Sequence, residues 1–177
     1  MRILFLLFIP FLISCNSGPE QHKETMSPGP TEEVTTYYFI RHAEKDTSDP
    51  DNRDPELTEE GLARSQNWAR VFKEVDFDLI YSSDYKRTKA TAKAVADDQE
   101  KQVSIYDASR LNDENFQKNT KGKTVLVVGH SDSNPKFVNY ILEDERYTDI
   151  EDSESGSLFI VSRYPDGNVT SEVLYIN

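Results

Sequence analysis

Thr124-Val125-Leu126-Val127-Val128-Gly129-His130-Ser131 is the stretch on which the reading of this chain turns. Four consecutive apolar residues, three of them β-branched, read as a strand. An apolar side chain at every position, odd and even, means burial on both faces. That is the habit of strands in parallel sheets covered by helices, not of half-wetted antiparallel ones. The run stops at Gly129-His130-Ser131, and open α/β sheets hold their ligands beyond the carboxyl ends of such strands.

A second stretch repeats the pattern nearer the amino end. Tyr37-Tyr38-Phe39-Ile40 is an apolar run opening near Val34, and it ends at Arg41-His42-Ala43-Glu44. Two strands that each stop at a histidine place both imidazoles on one edge if they run parallel.

The segments between and after these two supply the layers. Asp46 to Pro55 is a polar loop rich in turn formers. Thr58 then reads as the N-cap of a helix, with Glu59 and Glu60 against the positive end of its dipole. Leu62, Trp68, Ala69, Phe72 and Val75 are expected on its inner face. Phe77 to Tyr81 is a short strand, with Ser82-Ser83-Asp84 as turn and cap. The helix that follows, Tyr85 to Asp97, turns Thr88, Ala92 and Val95 inward. Val103 to Tyr106 is a weaker strand, and Asp107 to Gly122 reads as one ragged helix or loop. After Ser131, Asn134 as cap and Pro135 at the first helical position predict a helix with Phe137, Val138, Ile141 and Leu142 apolar. An acidic loop, Glu143 to Ser155, follows. Leu158 to Ser162 and Val169 to Ile176 flank the turn sequence Tyr164-Pro165-Asp166-Gly167-Asn168, which predicts an antiparallel hairpin. The expected fold is α/β and three-layered: a mostly parallel central sheet, helices on both faces, and a C-terminal antiparallel hairpin.

Composition narrows the partners. The 177 residues carry 20 Lys+Arg against 32 Asp+Glu, a formal charge of −12. Such a field repels polyanions, so no nucleic-acid partner is expected and any phosphate site must be a local basic pocket. Nine Tyr and nine Phe supply core material that disordered chains lack.

The first residues have their own character. One arginine precedes an unbroken apolar segment that ends Leu12-Ile13-Ser14-Cys15. It is too short to span a bilayer and has the length of a signal-peptide apolar region. Its ending resembles a bacterial lipobox, which implies cleavage of a signal peptide over 1–14 and lipidation of Cys15. Cys15 is the single cysteine, so no internal disulfide or multi-cysteine metal site is expected. Residues 15–33 are polar and rich in Pro, Gly and Ser, a flexible tether in which His22 has no role. The expected location is the bacterial cell envelope, on the membrane through the anchor at Cys15 and facing an extracytoplasmic compartment. The folded domain is 34–177.

The chemistry rests on convergence. Arg87 falls in the first turn of its helix, where a cation opposes the dipole, so something anionic is expected beside it. Arg41 and Arg87 with His42 and His130 would meet at one sheet edge. Two arginine forks suit a tetrahedral anion, and phosphate is the natural occupant.

At these residues the sequence resembles the histidine phosphatase superfamily, the phosphoglycerate-mutase-like enzymes. Four blocks carry the resemblance in the family's order: Arg41-His42-Ala43-Glu44, Asp54-Pro55-Glu56-Leu57-Thr58-Glu59-Glu60-Gly61, Tyr81-Ser82-Ser83-Asp84-Tyr85-Lys86-Arg87-Thr88 continuing to Ala92, and Val128-Gly129-His130-Ser131. The resemblance implies a phosphatase in which His42 is the nucleophile, while Arg41, Arg87 and His130 hold the phosphoryl oxygens. It implies neither metal nor cofactor, and a substrate that is a phosphorylated small molecule or a phosphoprotein. The general acid has no motif of its own. Asp107, Asp113 and Glu114 stand in the segment where larger relatives carry it, and Asp132 enters the pocket turn two residues after His130. Each is equally explained as a solvated carboxylate. Glu44 and Lys45 are placed at the pocket rim or in an ion pair. The short stretch between Arg87 and His130 leaves no room for a lid, which disfavours a mutase. The alternative is a non-catalytic phosphate- or phosphopeptide-binding module of the envelope, a pseudophosphatase.

Overall fold

The computed structural model describes residues 33–176. The expected signal peptide, Cys15 with its expected lipidation, His22 and nearly all of the expected tether lie outside the described residues. Six strands form one sheet: β1 (Thr35–Arg41), β2 (Leu79–Ser82), β3 (Val103–Ile105), β4 (Thr124–Gly129), β5 (Ser157–Arg163) and β6 (Val169–Tyr175). Four helices connect them: α1 (Glu59–Val71), α2 (Lys86–Asp98), α3 (Glu114–Thr120) and α4 (Ser133–Leu142). The spatial order is β3-β2-β4-β1-β5-β6. β1, β2, β3 and β4 run parallel, β5 is antiparallel to β1, and β5 and β6 make the C-terminal hairpin.

The period of two along the central strands sorts the core into two layers. Tyr37, Phe39, Val125, Val127, Phe159 and Val161 pack with Phe116 of α3 and Phe137, Val138 and Ile141 of α4. Ile40, Ile80, Leu126, Val128 and Leu158 face the other way, onto Trp68 of α1 and Ala92 and Val95 of α2. Val125 to Val128 are fully buried, which is why the stretch carries no polar alternation.

Thr58 caps α1, its hydroxyl accepting from Gly61 N–H at 3.0 Å. The buried stripe of this helix is Gly61, Ser65, Trp68 and Ala69, and Leu62, expected inside, is 53% exposed. The cause is a close approach. A Cβ at Gly61 would overlap the Glu44 carbonyl, so the helix turns its smallest residue inward and Leu62 outward. α4 also differs from expectation. It begins at Ser133, and Asn134 is not its cap but lies buried within the first turn. Pro135 remains tolerable there because its absent N–H has no helical partner in the first turn anyway.

Candidate active site

The register of the central strands assembles the site. Arg41 pairs with Gly129 across β1 and β4, and Ser82 pairs with Val128 across β2 and β4. The ladder continues one bond past each end, with His42 N–H donating to Gly129 O and Ser83 N–H to Val128 O. His42, His130 and Ser83 are therefore neighbours at one carboxyl edge. The ring centroids of His42 and His130 lie 5.4 Å apart, edge to face.

A cavity of about 360 Å³ opens there, lined by Arg41, His42, Lys45, Tyr85, Arg87 and His130, with Asp132 and Asp152 on its wall. The four site residues of the sequence reading thus share one pocket. A different cavity, of about 330 Å³, opens at the amino edge between Thr35, Gln117 and Arg163, and no histidine lines it.

His42 is almost completely buried, and its Nδ1 lies 2.7 Å from the Ala43 carbonyl oxygen. A carbonyl only accepts, so Nδ1 carries the proton and Nε2 keeps its lone pair. Burial pushes the imidazole down to about 3, against the pull of that hydrogen bond, and the charges of Arg41, Arg87 and His130 lower it further. His130 is likewise pushed down to about 4, by burial first and then by Arg87. Both rings are neutral at physiological pH.

A second chain of hydrogen bonds fixes His130. Its Nε2 lies 2.8 Å from Ser83 Oγ, which donates to Thr88 Oγ1 at 3.0 Å. Thr88 Oγ1 donates to the Ser83 and Tyr85 carbonyls. With every downstream hydroxyl proton committed, Nε2 must be the donor and Nδ1 the acceptor, and Arg87 Nη2 approaches Nδ1 at 3.4 Å. Tyr85 packs its ring against His130 at 4.9 Å and under the Arg87 guanidinium at 4.4 Å.

The anion expected beside Arg87 is Asp54. Its carboxylate accepts from the Lys86 backbone N–H at 2.9 Å and stands 3.7 Å from Arg87 Nη1. The cap of α2 therefore comes from the polar loop. Ser82 and Ser83, expected as turn and cap, are the end of β2 and a buried link to His130, while Asp84 pairs with Lys89.

Arg41 is 3% exposed, and burial lowers its pKa although Asp152, Glu44 and Glu154 oppose the shift. Its Nη1 donates to three carbonyls, those of Glu151, Asp152 and Glu154, and its Nη2 to Asp152 Oδ1 at 3.1 Å. The acidic loop before β5 thus wraps the guanidinium.

The carboxylates named as acid candidates separate. Asp107 lies outside the pocket lining, and hydrogen bonds from Ser109 and then Arg110 hold its carboxyl down at about 2. Asp113 caps α3, accepting from Phe116 N–H, and Glu114 is an exposed residue of the first turn. Asp132 lines the pocket, with Lys136 at 3.9 Å. Glu44 pairs with Arg64 at 2.6 Å, leaving Lys45 as the rim residue. Among the described residues no group of three or more His, Cys, Asp or Glu is arranged to hold a metal ion. Ser83, Asp54 and Asp152 are the residues that the sequence reading did not bring to the site. Ser83 and Asp54 sat in quoted blocks, whereas Asp152 had no signal beyond its acidic loop.

The model of the histidine phosphatase superfamily (branch 1) matches residues 37–118, which include Arg41, His42 and Arg87. No curated protein matches the sequence. Among solved structures, phosphoglycerate mutase from Bacillus anthracis superposes with a TM-score of 0.65 at 17% identity, over 81% of this chain and 94% of that one. Phosphoserine phosphatase from Entamoeba histolytica gives 0.61 at 18% identity, over 80% and 97%. The mycobacterial glucosyl-3-phosphoglycerate phosphatase gives 0.58 at 14% identity, over 82% and 99%. Identities this low speak to the fold alone, and the fold is common to all three. Residues 37–118, from β1 into α3, match the histidine phosphatase superfamily, and the chain has a phosphoglycerate-mutase-like fold.

Proposed function

We propose that the protein is a phosphatase that hydrolyses phosphomonoesters or protein-borne phosphate through a phosphohistidine on His42. One observation carries the reading: His42 Nδ1–H is bound to the Ala43 carbonyl in a pocket with two arginines, which leaves a neutral Nε2 lone pair free to attack. In the first step Nε2 forms a bond to phosphorus as the ester P–O bond breaks. The departing oxygen takes a proton from solvent or from a carboxylate of the pocket wall, where Asp132 is the one of the expected candidates that lines the pocket. In the second step water attacks phosphorus and gives up a proton to solvent or to that same carboxylate, the N–P bond breaks, and its electron pair returns to Nε2. Arg41 and Arg87 neutralise the equatorial oxygens throughout, which is most of what phosphoryl transfer asks of a protein. A bound phosphoryl dianion favours protonation of His130 at Nδ1, which then donates to an oxygen beside Arg87.

The connection from α2 to β4 holds only the short β3 and the seven-residue α3, so nothing of lid size stands in it. An uncovered pocket favours release over reorientation of the phosphoryl group, hence a phosphatase over a mutase. A second reading, the pseudophosphatase, draws on the acid candidates: Asp107 is held ionised and Asp113 is spent as a helix cap.

A chromogenic aryl phosphate assay, with trapping of labelled phosphohistidine, separates the two. Turnover and label in the parent protein, both lost in His42→Ala, are expected. Phosphate or vanadate binding without turnover at any pH would establish the binding module instead. We further propose lipidation at Cys15 and an envelope location. Cys15→Ser is expected to leave the chain unlipidated, and a lipidated product from that variant would end this proposal.

A further inference from the structure

We infer that Asp152 is a built-in competitor for the phosphoryl group, a carboxylate that occupies the phosphate-facing edge of Arg41 and sets how tightly phosphate is held and how readily it leaves. The inference rests on the phosphate-site reading above and concerns the regulation of that same pocket. Its starting point is a count of Arg41's donors. Nη1 is consumed by the carbonyls of Glu151, Asp152 and Glu154, at 2.9, 3.0 and 3.0 Å. Those are backbone bonds of a strap that is itself fastened, Ile150 N–H donating to Ser131 O and Gly156 N–H to the Glu154 carboxylate. The guanidinium is thereby locked in orientation.

What remains is its lateral edge, the fork made by Nε and Nη2. Nε is buried and has no hydrogen-bond partner among the described residues. Nη2 carries the Asp152 carboxylate, which Ser131 Oγ also approaches at 3.4 Å. A phosphoryl group that takes this fork in bidentate fashion must share Nη2 with Asp152, whose carboxylate already holds one of its two N–H bonds. Both are anions, and they cannot share the donor without repulsion at contact distance.

The two ends of the pair differ in what separation costs them. Arg41 is 3% exposed and cannot give up its counter-charge to water, whereas the Asp152 side chain is 85% exposed. Asp152 can therefore swing into solvent with full hydration when a dianion arrives, and return when the phosphate product leaves. The doubly charged phosphoryl group outcompetes a single carboxylate, but by less than it would if Nη2 stood free. The same exchange opposes product inhibition. It belongs to Asp152 and not to Asp132, whose nearest cation is Lys136 at 3.9 Å.

The test measures inorganic phosphate and vanadate binding to the full chain by calorimetry, and as inhibition constants against an aryl phosphate. Asp152→Asn keeps the size of the side chain and its contact with Ser131, and Asp152→Ala removes the group altogether. Both are expected to bind phosphate and vanadate about twofold to fivefold more tightly than the parent, a range set by the usual worth of a solvent-exposed ion pair. Damage to the strap would weaken binding, so disruption and relief of competition have opposite signs. Unchanged or weaker binding in both variants would overturn the inference while leaving the phosphate site intact. A parent protein that binds neither anion would overturn the phosphate-site reading itself, and this inference with it.

Discussion

Ser83 Oγ lies 2.8 Å from Nε2 of His130, and that contact decides which nitrogen of the ring faces the pocket. The hydroxyl hands its own proton on to Thr88, so it can only accept from the imidazole. His130 is held as the Nε2–H tautomer, with the Nδ1 lone pair toward Arg87. Ser83→Ala leaves a ring N–H without its acceptor in a largely enclosed place, a loss of about 1–3 kcal/mol for such a group. The expected result is phosphate release slowed by roughly tenfold, since the ring then samples the other tautomer. A rate within twofold of the parent would show that Thr88 and Arg87 suffice to orient it.

The depressed histidines give stability a definite pH dependence. His42 is pushed down to about 3 in the folded protein, whereas in the unfolded chain it titrates near its ordinary value. The unfolded state therefore binds the proton first. His42 contributes its full stabilisation above about pH 6.5 and loses it progressively as pH falls toward 3. Between pH 5 and 6 the slope from this one group approaches ~1.4 kcal/mol per pH unit. The difference in urea midpoint between the parent and His42→Asn should be constant above about pH 6.5 and shift against the parent as pH falls to 5. Parallel curves would mean that His42 is not held neutral. The His42 imidazole should also show no NMR titration between pH 5 and 8.

Asp54 makes one bond that its position in a loop conceals. Its carboxylate accepts from Lys86 N–H and so closes the amino end of α2, where Tyr85 at the cap position supplies no side-chain bond. Asp54→Ala should cost about 1 kcal/mol in stability, the usual loss for a removed cap. Asp54→Asn retains an accepting oxygen and should lose less than half of that. Equal losses in chemical denaturation would assign the effect to the Arg87 pair instead.

Gly61 seats α1 against the turn that follows β1. A Cβ there would overlap the Glu44 carbonyl, a backbone atom that no rotamer change can move. Gly61→Ala is expected to destabilise by roughly 1–3 kcal/mol although alanine is the better helix former, because overpacking outweighs propensity. A stability gain would show that α1 can slide outward.

How far the sequence carries the reader depends on what kind of contact does the work. β4 was legible because burial on both faces leaves four apolar residues in a row, and the ends of β1 and β4 placed His42 and His130 on one edge. The α1 cap was legible because Thr58 acts three residues away. Asp54 acts 32 residues away from Lys86, and no local pattern announces such a bond. The strap around Arg41 is fainter still. It acts through three carbonyls, which every residue possesses, so Glu151, Asp152 and Glu154 read only as part of an acidic loop. Leu62 and Asn134 were misplaced for a related reason. Each helix is rotated or started by a close backbone or buried polar contact, and periodicity alone does not register it.

Asp107 offers the cleanest test of where a leaving-group proton can come from. Two hydrogen bonds from Ser109 and one from Arg110 favour its charged form and hold its carboxyl at about 2. At pH 7 such a group is protonated in only about one molecule in 10⁵, since each pH unit is a factor of ten. A donor so rarely loaded is a poor general acid, since such a group works best with a pKa near the operating pH. Asp107→Asn keeps an acceptor for Ser109 and removes only the charge facing Arg110. Phosphate release by this variant should stay within about twofold of the parent on aryl and alkyl phosphates alike. A loss of tenfold or more on alkyl phosphates, with aryl phosphates spared because their leaving groups need no proton, would return Asp107 to the reaction and show that its loop rearranges around the bound ester.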